Sequence, residues 1–173
     1  MIVLQTHRLI LRHFEMADAR ALERLFADPA VMRYGDSTKS PQWVREWVRS
    51  YVHQHYSKWG FGMWAVVEKG SHQVIGYCGL SGFPDRCGPD ETELGYRLMR
   101  KSWGYGYATE AATAVRDHAF GKLRLRRLTA IIDPHNIASI RVAEKVGLVY
   151  ERDVMFERYS YPDRVYAIAA RDD

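Results

Sequence analysis

Apolar and polar residues change their spacing several times along the chain, and each change marks an element. Leu9 and Leu11 alternate with Ile10 and Arg12, so Arg8 to Phe14 reads as a strand. Met16 to Phe26 then places Leu22, Leu25 and Phe26 at helical spacing before Asp28-Pro29 stops the run. From Pro41 to Trp59, Trp43, Trp47 and Tyr51 recur beside Val44, Val48 and Val52, which predicts a second helix with a wide apolar face and Pro41 in its first turn. Phe61 to Glu68 and Gln73 to Ser81 read as a strand pair closed by the turn Lys69-Gly-Ser-His72, and Glu93 to Met99 as a further strand. After Trp103 the spacing turns helical again, with Ala108, Ala111, Ala112, Val115 and Ala119 on one stripe behind a glycine-rich start. Arg127 to Asp133 is a predicted strand, Ile137 to Val146 a helix ended by Gly147, and Leu148 to Glu157 and Arg164 to Ala170 closing strands. This order predicts a mixed α/β (α+β) fold with a mostly antiparallel sheet of about seven strands flanked by about four helices.

At ~150 residues per domain, 173 residues make one domain spanning 1–173. The Pro/Gly stretch Phe83 to Asp90 is short enough to be a loop inside it. With 47% hydrophobic and 27% charged residues the chain falls outside the disordered and coiled-coil classes. No window approaches the ~18 apolar residues of a membrane span, and the start MIVLQTHRLILRHF meets charge too early for a secretory signal, so a soluble cytoplasmic protein with no membrane partner is expected. The net charge of +4 allows an anionic partner without requiring one. Cys78 and Cys87 form no C-x-x-C and read as reduced thiols. His53 and His55 point to different helix faces and the other histidines lack ligand spacing, so no metal is expected. The basic run Lys122 to Arg127 reads as solvated and dipole-compensating, with RNA contact the lesser reading.

The chemistry concentrates between Glu93 and Ala111. Gly104, Gly106 and Ala108 alternate with large residues where a strand hands over to a helix. Small residues there clear space for exposed N–H groups at the positive end of the helix dipole, a setting for a phosphate or pyrophosphate; a plain tight turn accounts for the same glycines. The chain has no G-x-x-x-x-G-K-[ST], which excludes a Walker loop, and it lacks the third glycine and opening βαβ unit of a dinucleotide fingerprint.

Trp103-Gly-Tyr-Gly106-Tyr-Ala108 resembles motif A of the GNAT acetyltransferases, Q/R-x-x-G-x-G/A, which binds the pyrophosphate of acetyl-CoA. The likeness extends to the RimJ/RimL branch through Thr6-His-Arg8-Leu9-Ile-Leu11-Arg12, Asp28-Pro29-Ala-Val31, Glu93-Leu-Gly95-Tyr96, the W-G-x-G-Y-A-T-E-A block, and Asn136-Ile-Ala-Ser139 through Glu144-Lys145-Val-Gly147. Each block is weak alone, but together, in order, they cover almost the whole chain. The resemblance implies a single-domain GNAT fold with splayed central strands. It also implies that the backbone of Leu98, Met99 and Arg100 pairs with the pantetheine arm of acetyl-CoA. Trp103, Gly104, Tyr105, Gly106, Tyr107, Ala108 and Thr109 would grip the pyrophosphate, although Trp103 replaces the Gln/Arg of the general motif and removes a side-chain donor. Asn136 suits a helix N-cap, and the family adds a contact to the cofactor.

The implied activity is transfer of an acetyl group to a primary amine by direct attack in a ternary complex, since no nucleophile motif supports a covalent acetyl-enzyme. A backbone N–H near Leu98 is the implied oxyanion donor. Glu93 is the candidate base, acting through water, or else a solvated strand carboxylate. Ser139 matches the serine placed near the sulfur, or is a first-turn helix residue; Ala143 stands where many relatives carry an acidic Tyr, and Tyr150 is a reserve donor. The Trp43, Trp47 and Tyr51 stripe reads as core, with Tyr34 and Trp64 as groove-lining residues. The branch implies a protein N-terminal α-amine as acceptor. A polyamine, amino acid or aminoglycoside, or a non-catalytic acyl-CoA-binding module, stays open, as does a homodimer.

Overall fold

A computed structural model describes residues 1–35, 37–82, 91–156 and 160–170. The chain opens with β1 (Ile2–Gln5) and β2 (Leu9–Arg12), then α1 (Ala19–Ala27), α2 (Pro29–Met32) and α3 (Pro41–Ser50). A π-turn over Tyr51–His55 leads into α4 (Tyr56–Trp59). The strands β3 (Met63–Glu68), β4 (Val74–Gly82) and β5 (Thr92–Leu98) follow, then α5 (Tyr107–Gly121), β6 (Arg127–Ile132), α6 (Ile137–Val146), β7 (Val149–Val154) and β8 (Asp163–Ala169). Among the described residues the expected sheet of about seven strands has eight, and the expected four or so helices are six. The loop 83–90, with Cys87, lies outside the described residues.

The sheet runs β1-β2-β3-β4-β5-β6-β8-β7, antiparallel throughout except at β5 and β6. Those two strands are parallel and pair at one position only, Glu93 with Thr129. Beyond it they diverge, and this split organises the site. Core residues lie on both faces of the sheet. Leu11, Trp64, Leu80, Ala112, Val115 and Leu128 fill the side covered by α5 and α6, while Phe14, Leu22, Phe26, Val44, Val48 and Tyr77 fill the side covered by α1 and α3.

Three expectations need correction. The N-terminal strand is preceded by β1, whose four residues are too half-exposed to show alternation. The helix expected as one piece over Pro41–Trp59 is interrupted at Tyr51–His55. The interruption lets Tyr51 stay in the core at 6% exposure while Tyr56 turns to stack on His13 at 3.8 Å and donate its hydroxyl to Met63 O at 2.6 Å. Trp64 does not border a groove: it is buried on the α5 side, edge-on to His118 at 5.6 Å.

Close backbone approach fixes glycine at position 79 on β4. A Cβ there would lie 2.2 Å from Gly62 O and 2.7 Å from Met63 Cα, both backbone atoms that cannot swing aside. Gly79→Ala should therefore cost about 1–3 kcal/mol, as overpacking does. Urea unfolding should show a lower midpoint at unchanged m-value, and an unaltered midpoint would refute the close approach.

Candidate active site

The loop between β5 and α5 is built by two left-handed glycines, Gly104 at φ 81° and Gly106 at φ 80°. A Cβ on Gly104 would meet nothing within 4 Å, so backbone angle rather than crowding requires glycine there, and the space above the loop is open. Gly106 caps α5 and leaves the first amides of a fifteen-residue helix facing that space. Arg8, just before β2, fixes the loop by donating to Tyr105 O at 2.9 Å and pairing with Glu110 at 2.7 Å. Glu110 also accepts from Thr6 Oγ1 at 2.5 Å and from the Arg8 amide at 2.9 Å. Burial alone would raise the Glu110 carboxyl, but these bonds outweigh it and hold the carboxyl below the usual range. Tyr107 is occupied too, with its hydroxyl donating to Glu68 and its ring under the Arg8 guanidinium at 4.6 Å. Tyr107 thus offers the loop its backbone, not its side chain.

Trp103 donates its indole N–H to Leu98 O at 2.8 Å, tying the loop to the end of β5. The Met99 amide bonds Ile75 O at 2.8 Å and is turned toward β4. Antiparallel alternation with β4 then turns the backbone groups of Leu94, Tyr96 and Leu98 the other way, into the β5/β6 split. Of the three residues expected to pair with a pantetheine arm, Leu98 faces the split with its amide. Met99 does not, and Arg100 has left the strand for a 3₁₀ turn, its exposed side chain 3.8 Å from Asp28.

Two cavities meet at the split. One, of about 270 Å³, lies among Leu94, Tyr96, Ile132, Asn136, Ser139 and Val142. The other, of about 320 Å³, lies among Phe26, Met32, Lys39, Trp43, Trp47 and Asp163. Tyr34, Tyr77, Glu93, Arg97 and Ile131 line both, so Glu93 stands where they join. Asn136 caps α6 by accepting from the Ser139 amide at 3.2 Å, and Ser139 Oγ lies 3.1 Å from the Tyr96 hydroxyl. Burial raises the Tyr96 phenol, an effect the Ser139 bond only partly offsets, and so keeps its proton at neutral pH. Tyr34 donates to His135 O at 3.1 Å, joining the α2 end to the loop before α6.

Tyr150 is exposed and bonds Asp153 at 3.3 Å, lining neither cavity. Arg127, the last residue of the basic run, is spent on Glu91 at 3.0 Å and Glu151 at 2.7 Å. Sequence reasoning missed Tyr77, Arg97 and Asp163 as lining residues. Strand alternation places Arg97 on the same face as Glu93 and was a usable signal, whereas Asp163 becomes visible only once β8 is paired. Among the described residues no cluster of three or more His, Cys, Asp or Glu could hold a metal, and no helix is long and apolar enough to cross a membrane.

An open split lined by a polar pair, and a glycine loop whose helix-terminal amides have no side-chain cap, suit a long thioester carrying a diphosphate. The family model described as "Acetyltransferase (GNAT) domain" matches residues 8–149, and the chain belongs to the GNAT acetyltransferase family. It is similar to the uncharacterized protein YkkB of Bacillus subtilis, at 36% identity over 94% of this chain and 93% of the relative. It is also similar to the uncharacterized N-acetyltransferase p20 of Bacillus licheniformis, at 30% identity over 87% and 84%. Two solved structures share the fold at 19% identity. Ribosomal-protein-S5-alanine acetyltransferase from Vibrio fischeri has a TM-score of 0.81 and covers 98% of this chain and 97% of its own. Spermidine N-acetyltransferase from Vibrio cholerae, in complex with CoA and spermine, has a TM-score of 0.76 and covers 95% and 96%. The protein is an acetyl-CoA-dependent N-acetyltransferase.

Proposed function

We propose that the acceptor is an α-amine, which attacks directly in a ternary complex, with Glu93 as the base and the Ser139–Tyr96 pair facing the departing sulfur. The carrying observation is the place of Glu93 at the junction of the two cavities. Acetyl-CoA supplies an acetyl thioester. Transfer joins the neutral amine nitrogen to the acetyl carbon, breaks the carbon–sulfur bond and moves one proton from nitrogen to sulfur. Freeing a lysine amine at pH 7 costs about 4.6 kcal/mol, against about 1 kcal/mol for the α-amine of a peptide and an intermediate amount where a free carboxylate adjoins it, so a site with a single junction carboxylate among the described residues suits the α-amine.

The amides of Tyr96 and Leu98, turned into the split, serve as donors to developing oxyanion charge. Gly104 to Thr109 hold the diphosphate through backbone N–H groups. At neutral pH the raised Tyr96 phenol retains its proton more firmly than a thiol of pKa ~8.5. Full transfer from it would be uphill, and the pair's role is a hydrogen bond that steadies the thiolate. The RimJ/RimL-like blocks support a protein N-terminus as the bearer of the α-amine, and the modest size of the acceptor cavity supports a small molecule. Since named enzymes for a ribosomal protein and for spermidine share this fold, the choice rests on the cavity lining.

The test is thiol release from acetyl-CoA across an amine panel, with calorimetry of acetyl-CoA alone. Saturable heat and amine-dependent thiol release are expected. Heat with no release on any amine would instead establish a non-catalytic acyl-CoA-binding module.

A further inference from the structure

We infer that the acceptor is a small α-amino acid with an apolar side chain, its carboxylate held by Arg97 and Lys39 beside the Glu93 junction; this rests on the acetyl-transfer reading above. Arg97 and Glu93 share one face of β5, with Gly95 between them contributing no side chain. Their Cα atoms are about 13 Å apart along the strand, a span that two long side chains and one small zwitterion fill.

Arg97 is half-buried, yet no carboxylate among the described residues lies within ion-pair distance of its guanidinium. Arg8, Arg12, Arg116 and Arg127, similarly half-buried, each hold one. Arg97 instead donates to the Met32 thioether at 2.9 Å and lies 6.0 Å from the Phe26 ring centre. A thioether is a weak acceptor, which leaves most of five N–H donors without a partner among the described residues at a cavity wall. Gly35 adjoins the guanidinium, a Cβ there coming within 2.8 Å of Arg97 Nη2. Lys39, on the same cavity, lies over the Trp43 ring at 5.4 Å and likewise holds no carboxylate among the described residues.

A partly desolvated guanidinium whose partners among the described residues are a thioether and an aromatic ring is costly until an anion arrives, and its planar fork matches a carboxylate. Glu93 and Asp163 line the same cavity, so its charges are of both signs, as a zwitterion requires. A polyamine would bring only positive charge to Arg97 and Lys39, and a peptide N-terminus replaces the carboxylate with an amide. Phe26, Trp43, Trp47 and Tyr77 supply apolar wall for the side chain, within about 320 Å³.

The experiment compares kcat/KM for phenylalanine and leucine with that for their amides, their decarboxylated amines, spermidine and a short peptide, using thiol release by the full chain. Amine reactivity alone favours the amides, whose ammonium groups lose a proton more readily without a neighbouring carboxylate. Preference for the free acids by about 30-fold or more is the expected result. Arg97→Gln should collapse that ratio toward one, chiefly through KM, and Arg97→Lys should restore part of it. Wild-type turnover of amides, spermidine or peptide equal to or above that of the acids would overturn the inference while leaving acetyl transfer intact. If no amine in the panel is acetylated, the transfer reading itself fails.

Discussion

Glu93→Gln should lower kcat for amine acetylation by about 10²–10⁴-fold, the range lost with a general base. The amide keeps the shape and hydrogen-bonding reach of the carboxylate but cannot take the proton, so the loss should fall on kcat with acetyl-CoA affinity nearly unchanged. Steady-state kinetics at saturating amine, paired with calorimetry of the donor, separate the two. Full turnover in this variant would reduce Glu93 to a charge on the cavity wall. Glu93 lies at the residue pair joining β5 to β6 and lines both cavities.

Glu110→Ala should be the most damaging change outside the reacting centre. It removes the acceptor of Thr6 Oγ1, the Arg8 amide and the Arg8 guanidinium together, and Arg8 retains Tyr105 O and the Tyr107 ring to steady the glycine loop. A stability loss of about 1.5–3 kcal/mol is expected from the charged hydrogen bonds, accompanied by weaker acetyl-CoA binding. The pH dependence has a definite sign. A carboxyl held below its ordinary value of 4.5 contributes stability above that value and loses the contribution as pH falls through the folded one. Acid titration of wild type by circular dichroism should show this limb and the variant should lack it; superimposable curves would refute the role of the cluster.

The same cluster shows what the sequence could and could not convey. Thr6, Arg8 and Glu110 were readable as parts of two separate motif blocks, yet the residues in contact are 102 and 104 positions apart, and nothing in local spacing joins them. Gly104 and Gly106 were legible because a left-handed backbone leaves a residue-type signature. The alternation of Leu9 and Leu11 marked β2 because both side chains are fully buried while Ile10 and Arg12 are not. Strand order left no such mark. The commitment of the Met99 amide to Ile75, and the joining of Arg97 and Asp163 on one cavity, depend on long-range pairing that no window of residues contains. The interruption at Tyr51 leaves no mark in the sequence for a related reason: Trp43, Trp47 and Tyr51 keep helical spacing up to the point where the register shifts.

Because the strands part after Glu93 and Thr129, the sheet resembles a book with two leaves and a very short spine. One leaf carries Glu93 and Arg97, the other Ile131, and both cavities take walls from each. Any rocking of leaf on leaf therefore reshapes the donor and acceptor chambers together, making them mechanically a single object.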